Sequence, residues 1–153
     1  MTPSTPSRST PSPSESSTSQ TAITASVRIA ASPDVVFPYF TDSALAVKWI
    51  ADAASLDARP GGTFSIDVRG NPARGEYLEI DPPHRVVFTW GIEGSGDLPP
   101  GTSKVEVVLR PDGDETVVTL THRDLPTQEF RRSHREGWSE FLGLLGALLS
   151  RAS

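Results

Sequence analysis

The sequence predicts an α+β domain in which a curved antiparallel sheet packs around one long C-terminal helix. Between residues 21 and 122, short segments of alternating apolar residues are separated by glycine- and proline-rich turns, which is typical of hairpin strands. Two short helical segments interrupt this series after the first strand. One stretch near the C-terminus repeats apolar side chains at three- and four-residue steps. The expected element order is β-α-α-β-β-β-β-β-β-α.

The length and composition of the chain predict a single domain with a hydrophobic core of ordinary size. The chain has 153 residues, of which 36% are hydrophobic and 22% charged, so a second domain of normal size does not fit. Residues 1–20 consist almost wholly of Ser, Thr and Pro and offer nothing to bury after Met1. We therefore expect a disordered tail over residues 1–20 and one domain over residues 21–153.

Charge and hydropathy exclude several classes of partner. The net charge is -5, and Lys and Arg are scattered rather than clustered, so we expect neither nucleic acid nor an anionic membrane surface as a partner. No run approaches the roughly 20 apolar residues that span a bilayer, and the N-terminus does not resemble a signal peptide. The expected location is the cytoplasm.

Metal and thiol chemistry is also disfavoured. The chain contains no cysteine, which excludes disulfides, thiolate metal sites and cysteine nucleophiles. Its three histidines, His84, His122 and His134, are far apart and lack the i, i+4 spacing of a helical zinc motif. We expect no metal and no cofactor.

The first elements form a strand and a small helical flap. Residues 21–30 alternate as a strand, with Ile29 among its inward positions. Ser32, Pro33 and Asp34 supply an N-cap, an N1 proline and a first-turn acid, so a short helix begins there. Asp42 caps a second short helix over residues 42–50, whose apolar stripe contains Leu45, Trp49 and Ile50.

Six further strands follow: residues 54–59, 63–68, 76–80, 86–90, 105–109 and 116–122. Period-2 alternation predicts which side chains face inward. These inward positions are Phe64, Ile66, Val68, Glu76, Leu78, Ile80, Val86, Phe88, Trp90, Val105, Val107, Leu109, Thr116, Val118, Leu120 and His122.

The long helix is predicted from Pro126 to about Ser150. Its mostly apolar stripe comprises Phe130, His134, Trp138, Phe141, Leu142, Leu145 and Leu148. Gly137 costs roughly 1 kcal/mol inside a helix, which indicates a close approach of the helix backbone to the sheet at that point.

Several short motifs in this order resemble those of one known superfamily. They are VKW at residues 47–49, DARPGGTF at 57–64, RGEY at 74–77, DPPHRVVFTW at 81–90, LTH at 120–122 and HREGW at 134–138. Together they resemble the helix-grip START-like (SRPBCC) superfamily, and within it the family named for the activator of the heat-shock-protein-90 ATPase. The likeness covers about residues 23–149. It implies a helix-grip START-like fold with a cavity for an apolar ligand between the long helix and the concave sheet.

The candidate site consists of residues that strand alternation or the apolar helix stripes direct inward. Three of them, Glu76, His122 and His134, are polar and would converge on this space as candidates for acid-base catalysis. Buried without partners they would be costly, so they either bond to one another, lie at the rim or face a ligand. The full set of expected ligand-binding residues is Trp49, Phe64, Ile66, Glu76, Leu78, Phe88, Trp90, Leu120, His122, His134, Trp138 and Phe141.

Three functions remain open at this stage. The first is binding of a small hydrophobic or aromatic molecule, which requires a cavity rather than a filled core. The second is a protein-interaction module that regulates a chaperone ATPase, as the family name implies, with a protein partner docked on an exposed apolar patch. The third is a cyclase- or hydrolase-like enzyme that uses Glu76 with His122 or His134, since the resemblance extends to polyketide cyclases of this fold.

Overall fold

The computed structural model describes residues 22–152, and the predicted tail lies outside the described residues. A strand and a helical flap come first, six strands follow, and a long helix ends the chain. The elements are β1 (Ile23–Ile29), α1 (Pro33–Val36), a 3₁₀ turn (Phe37–Phe40), α2 (Ser43–Ala46), β2 (Ala53–Leu56), β3 (Thr63–Val68), β4 (Asn71–Asp81), β5 (Arg85–Ile92), β6 (Ser103–Asp112), β7 (Glu115–Arg123) and α3 (Gln128–Ala152).

The strands form one antiparallel sheet of seven, in the spatial order β1-β7-β6-β5-β4-β3-β2. Consecutive strands from β2 to β7 are neighbours, and β1 returns to pair with β7. Such a sheet buries one face only, and the long helix covers it. The predicted α+β helix-grip fold and its element order are confirmed.

The flap is held by one side-chain cap and by one buried tyrosine, while Ser32, the predicted cap of α1, makes no side-chain capping bond. Asp42 Oδ1 accepts a hydrogen bond from the Ala44 backbone N–H at 2.8 Å, which caps α2 as predicted. The α2 helix ends at Ala46 rather than continuing to Ile50. The hydroxyl of Tyr77 on β4 donates to the Phe40 carbonyl at 2.9 Å and ties the flap to the sheet.

The predicted inward phase of β4 is wrong for Glu76 and Leu78. Glu76 is exposed and Leu78 is 41% exposed, whereas Tyr77 between them is fully buried. The pairing of β4 with β5 shifts by one residue between Tyr77 and Glu79. This β-bulge adds one residue to β4 and reverses its phase, so Ile80 still packs against the core as predicted.

The long helix begins at Gln128, because the Thr127 hydroxyl accepts from the Phe130 backbone N–H at 3.1 Å and acts as its cap. Its buried face consists of Trp138, Phe141, Leu142, Leu145 and Leu149. Leu149, rather than the predicted Leu148, is the last deeply buried residue of the stripe.

The close approach of helix and sheet occurs at Gly146, not at Gly137 as predicted. A Cβ at Gly146 would lie 3.5 Å from Val27 Cγ2 and 3.9 Å from Ile29 Cγ1 on β1. A Cβ at Gly137 would meet nothing within 4 Å. The C-terminal half of α3 therefore packs tightly on β1, while open space adjoins the helix at Gly137.

Two classes of feature are absent from residues 22–152. No helix in this range combines the length and apolar character needed to span a membrane. No group of three or more His, Asp or Glu side chains in the same range is arranged to hold a metal ion.

Candidate functional site

A half-open cavity of about 330 Å³ lies between the N-terminal half of α3, the β3–β4 hairpin and the end of β5. This volume is at the lower end of the range of about 300–1,000 Å³ typical of small-molecule sites. Most of its wall is apolar or aromatic. The lining residues are Ile50, Val68, Arg69, Asn71, Trp90, Ile92, Phe130, Ser133, His134, Gly137, Trp138 and Phe141.

One wall of the cavity is the tip of the β3–β4 hairpin. Arg69 and Gly70 both adopt positive φ, at 52° and 84°, as a tight two-residue hairpin turn requires. The Arg69 guanidinium reaches across to α3, where it forms an ion pair with Glu140 at 2.7 Å and lies 4.6 Å from the centre of the Phe141 ring. Arg69 therefore bridges the sheet and the helix, and its charge is already paired.

Behind the cavity wall, His122 belongs to a chain of hydrogen bonds. Trp138 Nε1 donates to His122 Nδ1 at 3.0 Å. An indole nitrogen can only donate, so His122 Nδ1 carries no proton and the neutral ring is protonated on Nε2. His122 Nε2 then donates to Ser103 Oγ at 2.8 Å, and that hydroxyl donates to the Trp90 carbonyl at 2.8 Å.

This chain occupies both nitrogens of His122. The side chain is fully buried, and burial, together with the nearby His134, lowers the pKa of His122 well below its ordinary value of 6.5. A proton on Nδ1 would also face the Trp138 N–H, donor against donor. His122 therefore fixes the positions of Trp138 and Ser103, and it has no free nitrogen for a bound molecule.

His134 is placed differently. Its Nδ1 lies 2.8 Å from the Phe130 carbonyl oxygen, which can only accept, so Nδ1 carries the proton. Burial lowers the pKa of His134, opposed in part by this backbone hydrogen bond. The neutral ring thus keeps its second nitrogen, Nε2, as an acceptor, and no group within residues 22–152 donates to it.

Aromatic rings fix the orientation of the His134 imidazole. Its ring centre is 5.1 Å from that of His122, 6.2 Å from Trp90 and 6.0 Å from Phe130, all in edge-to-face arrangements. Packing of this kind, with the Nδ1–H bond, restricts the ring to one position. The acceptor Nε2 is therefore held in place before any ligand arrives.

Trp90 carries a polar group that has no partner. The side chain is 5% exposed, and its Nε1–H is the one buried side-chain polar group in residues 22–152 that has no hydrogen-bond partner. Most buried donors are satisfied, so an unpaired one is unusual and costs free energy. Of these two neighbouring rings, His134 therefore has an unpaired acceptor, and Trp90 has an unpaired donor that is buried.

The structure divides the twelve predicted site residues into three groups. Trp90, His134, Trp138 and Phe141 line the cavity. Most of the others lie in the core. Trp49, Phe64, Ile66 and Phe88 surround a separate space of about 20 Å³, about enough for one water molecule, while Leu120 and His122 are fully buried behind the wall.

Glu76 and Leu78 form the third group, on the outer face of β4. The same bulge that exposes them separates Glu76 from both histidines by the thickness of the sheet. The predicted convergence of Glu76 with His122 and His134 is therefore wrong. Of the three polar candidates, His134 alone lines the cavity.

Sequence reasoning missed the side of the cavity formed by the hairpin and the helix surface. Arg69, Asn71, Ile92, Ser133 and Gly137 line it and were not among the predicted site residues. Gly137 did carry a usable signal, since a glycine in mid-helix indicates that space is needed there. That space belongs to the cavity instead of to a contact with the sheet.

Comparison with known families agrees with this architecture. A family model described as activator of Hsp90 ATPase homolog 1-like protein matches residues 30–150. The chain belongs to this family. The predicted resemblance is thereby confirmed. No curated protein matches the chain.

Two solved structures of moderate identity share the fold. An AHSA1-like protein from Rhizobium etli is 36% identical, with 82% of this chain and 79% of that one covered and a TM-score of 0.67. CalU16 from Micromonospora echinospora is 31% identical, with 83% and 73% covered and a TM-score of 0.69.

A third structure, an HSP90 activator from Plasmodium falciparum, is 23% identical over 85% of this chain and 96% of its own, with a TM-score of 0.67. At this identity the likeness concerns the fold. Membership of the activator-like family therefore establishes the architecture of the chain.

Proposed function

We propose that this protein binds a small hydrophobic or aromatic molecule in the cavity between α3 and the sheet. The observation that carries the proposal is the cavity of about 330 Å³ in the family's helix-grip fold, with aromatic walls from Trp90, Trp138, Phe130 and Phe141. The neighbouring core is filled, as the 20 Å³ space beside Trp49 demonstrates. An open cavity of this size leaves aromatic surface in contact with water, and binding of an apolar molecule would remove that surface from water.

The two alternatives have less support. An interaction module needs a continuous exposed apolar patch, but the large exposed apolar side chains, Val35, Val47, Leu78 and Leu144, lie on four separate segments. An enzyme that uses Glu76 needs this carboxylate in the cavity, whereas Glu76 is on the outer face of the sheet. Ligand binding requires neither feature.

Gly137 offers a direct test, since it lines the cavity and has free space beside it. Gly137→Leu should fill the cavity while favouring the helix by about 0.5–1 kcal/mol. Gly143 supplies the matched control, because it lies on the same helix, is exposed, has no neighbour within 4 Å of an added Cβ and is outside the cavity. Gly143→Leu makes the same chemical change without filling anything.

The measurement is equilibrium dialysis of the full chain and both variants against methylnaphthalene, indole and decanol. We expect saturable binding of at least one probe by the wild type and the Gly143→Leu variant. Overpacking at Gly137 should weaken that binding at least about tenfold. Failure of all three probes to bind the wild type, or equal binding by the Gly137→Leu variant, would refute the proposal.

A further inference from the structure

The Arg69 side chain extends from the tip of the β3–β4 hairpin to α3 at the outer end of the cavity. We infer that Arg69, held by Glu140, is a strap across the cavity mouth, and that this strap must release each time a small molecule enters or leaves. This inference rests on the proposed function, because it concerns how the same cavity is filled and emptied.

The exposure of the lining residues shows where the mouth lies. Trp90 and Trp138 are each 5% exposed and form the deep end of the cavity. The Arg69 side chain, by contrast, is 56% exposed, and Asn71 and Ser133, which also line the cavity, are exposed as well. A half-open cavity meets solvent where its lining is exposed. The mouth is therefore bounded by the hairpin tip on one side and by α3 on the other.

Two contacts hold the Arg69 side chain between these two elements. Arg69 Nη2 donates to Glu140 Oε2 at 2.7 Å, and the guanidinium lies 4.6 Å from the centre of the Phe141 ring, which is part of the cavity wall. Both partners belong to α3, whereas Arg69 belongs to the hairpin. Exposed ion pairs and cation–π contacts are each weak, so a closure made of them is reversible.

The backbone of Arg69 also points to a role for its side chain. Its φ is 52°, in the left-handed region, and it is the first of the two turn residues between Val68 and Asn71. Asparagine, aspartate or glycine is the usual residue at such a position, because other side chains are disfavoured there. The turn gains nothing from an arginine, whereas the contact across the cavity mouth needs a long cationic side chain. An uncommon conformation of this kind is typical of functional positions.

The test measures exchange rates rather than affinity alone. The wild type and its variants are titrated with whichever of methylnaphthalene, indole and decanol binds most tightly, and line shapes of the indole N–H resonances in NMR spectra give the association and dissociation rate constants. Arg69→Asn removes the strap and suits the turn. Both rate constants should rise about threefold to tenfold, because release of the strap is no longer needed in either direction. The dissociation constant should change less than about twofold.

A second variant and a matched control assign the effect to this ion pair. Glu140→Gln removes the charge but leaves the Phe141 contact, so both rate constants should rise by a smaller factor, about twofold to threefold. Arg28→Asn makes the same substitution at an ion pair with Asp112 outside the cavity, where the arginine is 55% exposed, and should leave both rate constants unchanged. Raising the salt concentration from about 20 mM to about 500 mM should speed both steps in the wild type but not in Arg69→Asn.

The outcomes separate this inference from the proposed function. Saturable binding with wild-type rate constants in Arg69→Asn and Glu140→Gln would overturn the strap and leave the cavity as a binding site. Faster dissociation alone, with unchanged association, would also overturn it, because that pattern belongs to a residue that contacts the bound molecule. If the wild type binds none of the three probes, the proposed function and this inference both fail.

Discussion

Acidification should destabilise this protein through the buried His122. In the native state both ring nitrogens are hydrogen-bonded in the neutral form, and burial lowers the pKa of His122 well below its ordinary value of 6.5. In the unfolded chain the same imidazole takes up a proton near pH 6.5. Below that pH the unfolded state therefore binds more protons, so the stability present above it is lost as pH falls.

The size of the effect follows from linkage. While the native ring stays neutral, one proton of difference changes the free energy of unfolding by at most about 1.4 kcal/mol per pH unit, so the loss due to His122 between about pH 6.5 and pH 5 has an upper limit of about 2 kcal/mol. The pKa of His134 is also lowered by burial and adds to the slope with the same sign. A loss of this size is a large part of an ordinary domain's stability.

Urea unfolding followed by tryptophan fluorescence measures this slope. Comparison of the wild type with His122→Phe, at several values between about pH 7.5 and pH 5, isolates the contribution of His122. The variant is expected to be less stable at neutral pH, because the Trp138 N–H loses its acceptor, yet to have a shallower slope. His122→Gln, which can still accept and donate, repeats the test if the first variant unfolds. Equal slopes in wild type and variants would refute this assignment.

Two further substitutions test the core and the phase of β4. Trp138→Ala should lower the free energy of unfolding by about 3–5 kcal/mol, because the side chain is buried and donates a hydrogen bond to His122. A urea titration that shows a loss below about 1 kcal/mol would contradict the placement of Trp138 in the core. Glu76→Gln should change the free energy of unfolding by less than about 0.5 kcal/mol, since Glu76 is exposed. The affinity for methylnaphthalene in equilibrium dialysis should not change, and loss of binding would indicate that Glu76 belongs to the site.

The sequence predicted the architecture well because the fold depends on periodicity and punctuation. Strand alternation from Val105 to His122 and the apolar stripe of α3 are long enough to determine strands, helix and inward face together. The cap at Asp42 also formed as predicted. These features depend on residues that are close together in the sequence, so they can be predicted without knowing any contact between distant parts of the chain.

The candidate site was predicted only in part, for two physical reasons. The bulge at Leu78 reverses the alternation of β4, and the apolar Leu78 and Ile80 favoured a single phase over the whole strand. The position of the cavity depends on where α3 touches the sheet, which is at Gly146, and no periodic pattern distinguishes this glycine from Gly137. Tautomers and unpaired donors follow from three-dimensional contacts and so emerged only with the structure.

Native mass spectrometry of the protein, purified gently from the organism that makes it, tests whether the cavity binds a natural ligand. The Gly137→Leu variant, expressed in the same organism, is the comparison. We expect a reproducible extra mass on the wild type that is absent from the variant, and the size of that mass would narrow the ligand class. A wild type with the mass of the bare chain, or the same extra mass on both proteins, would contradict this expectation.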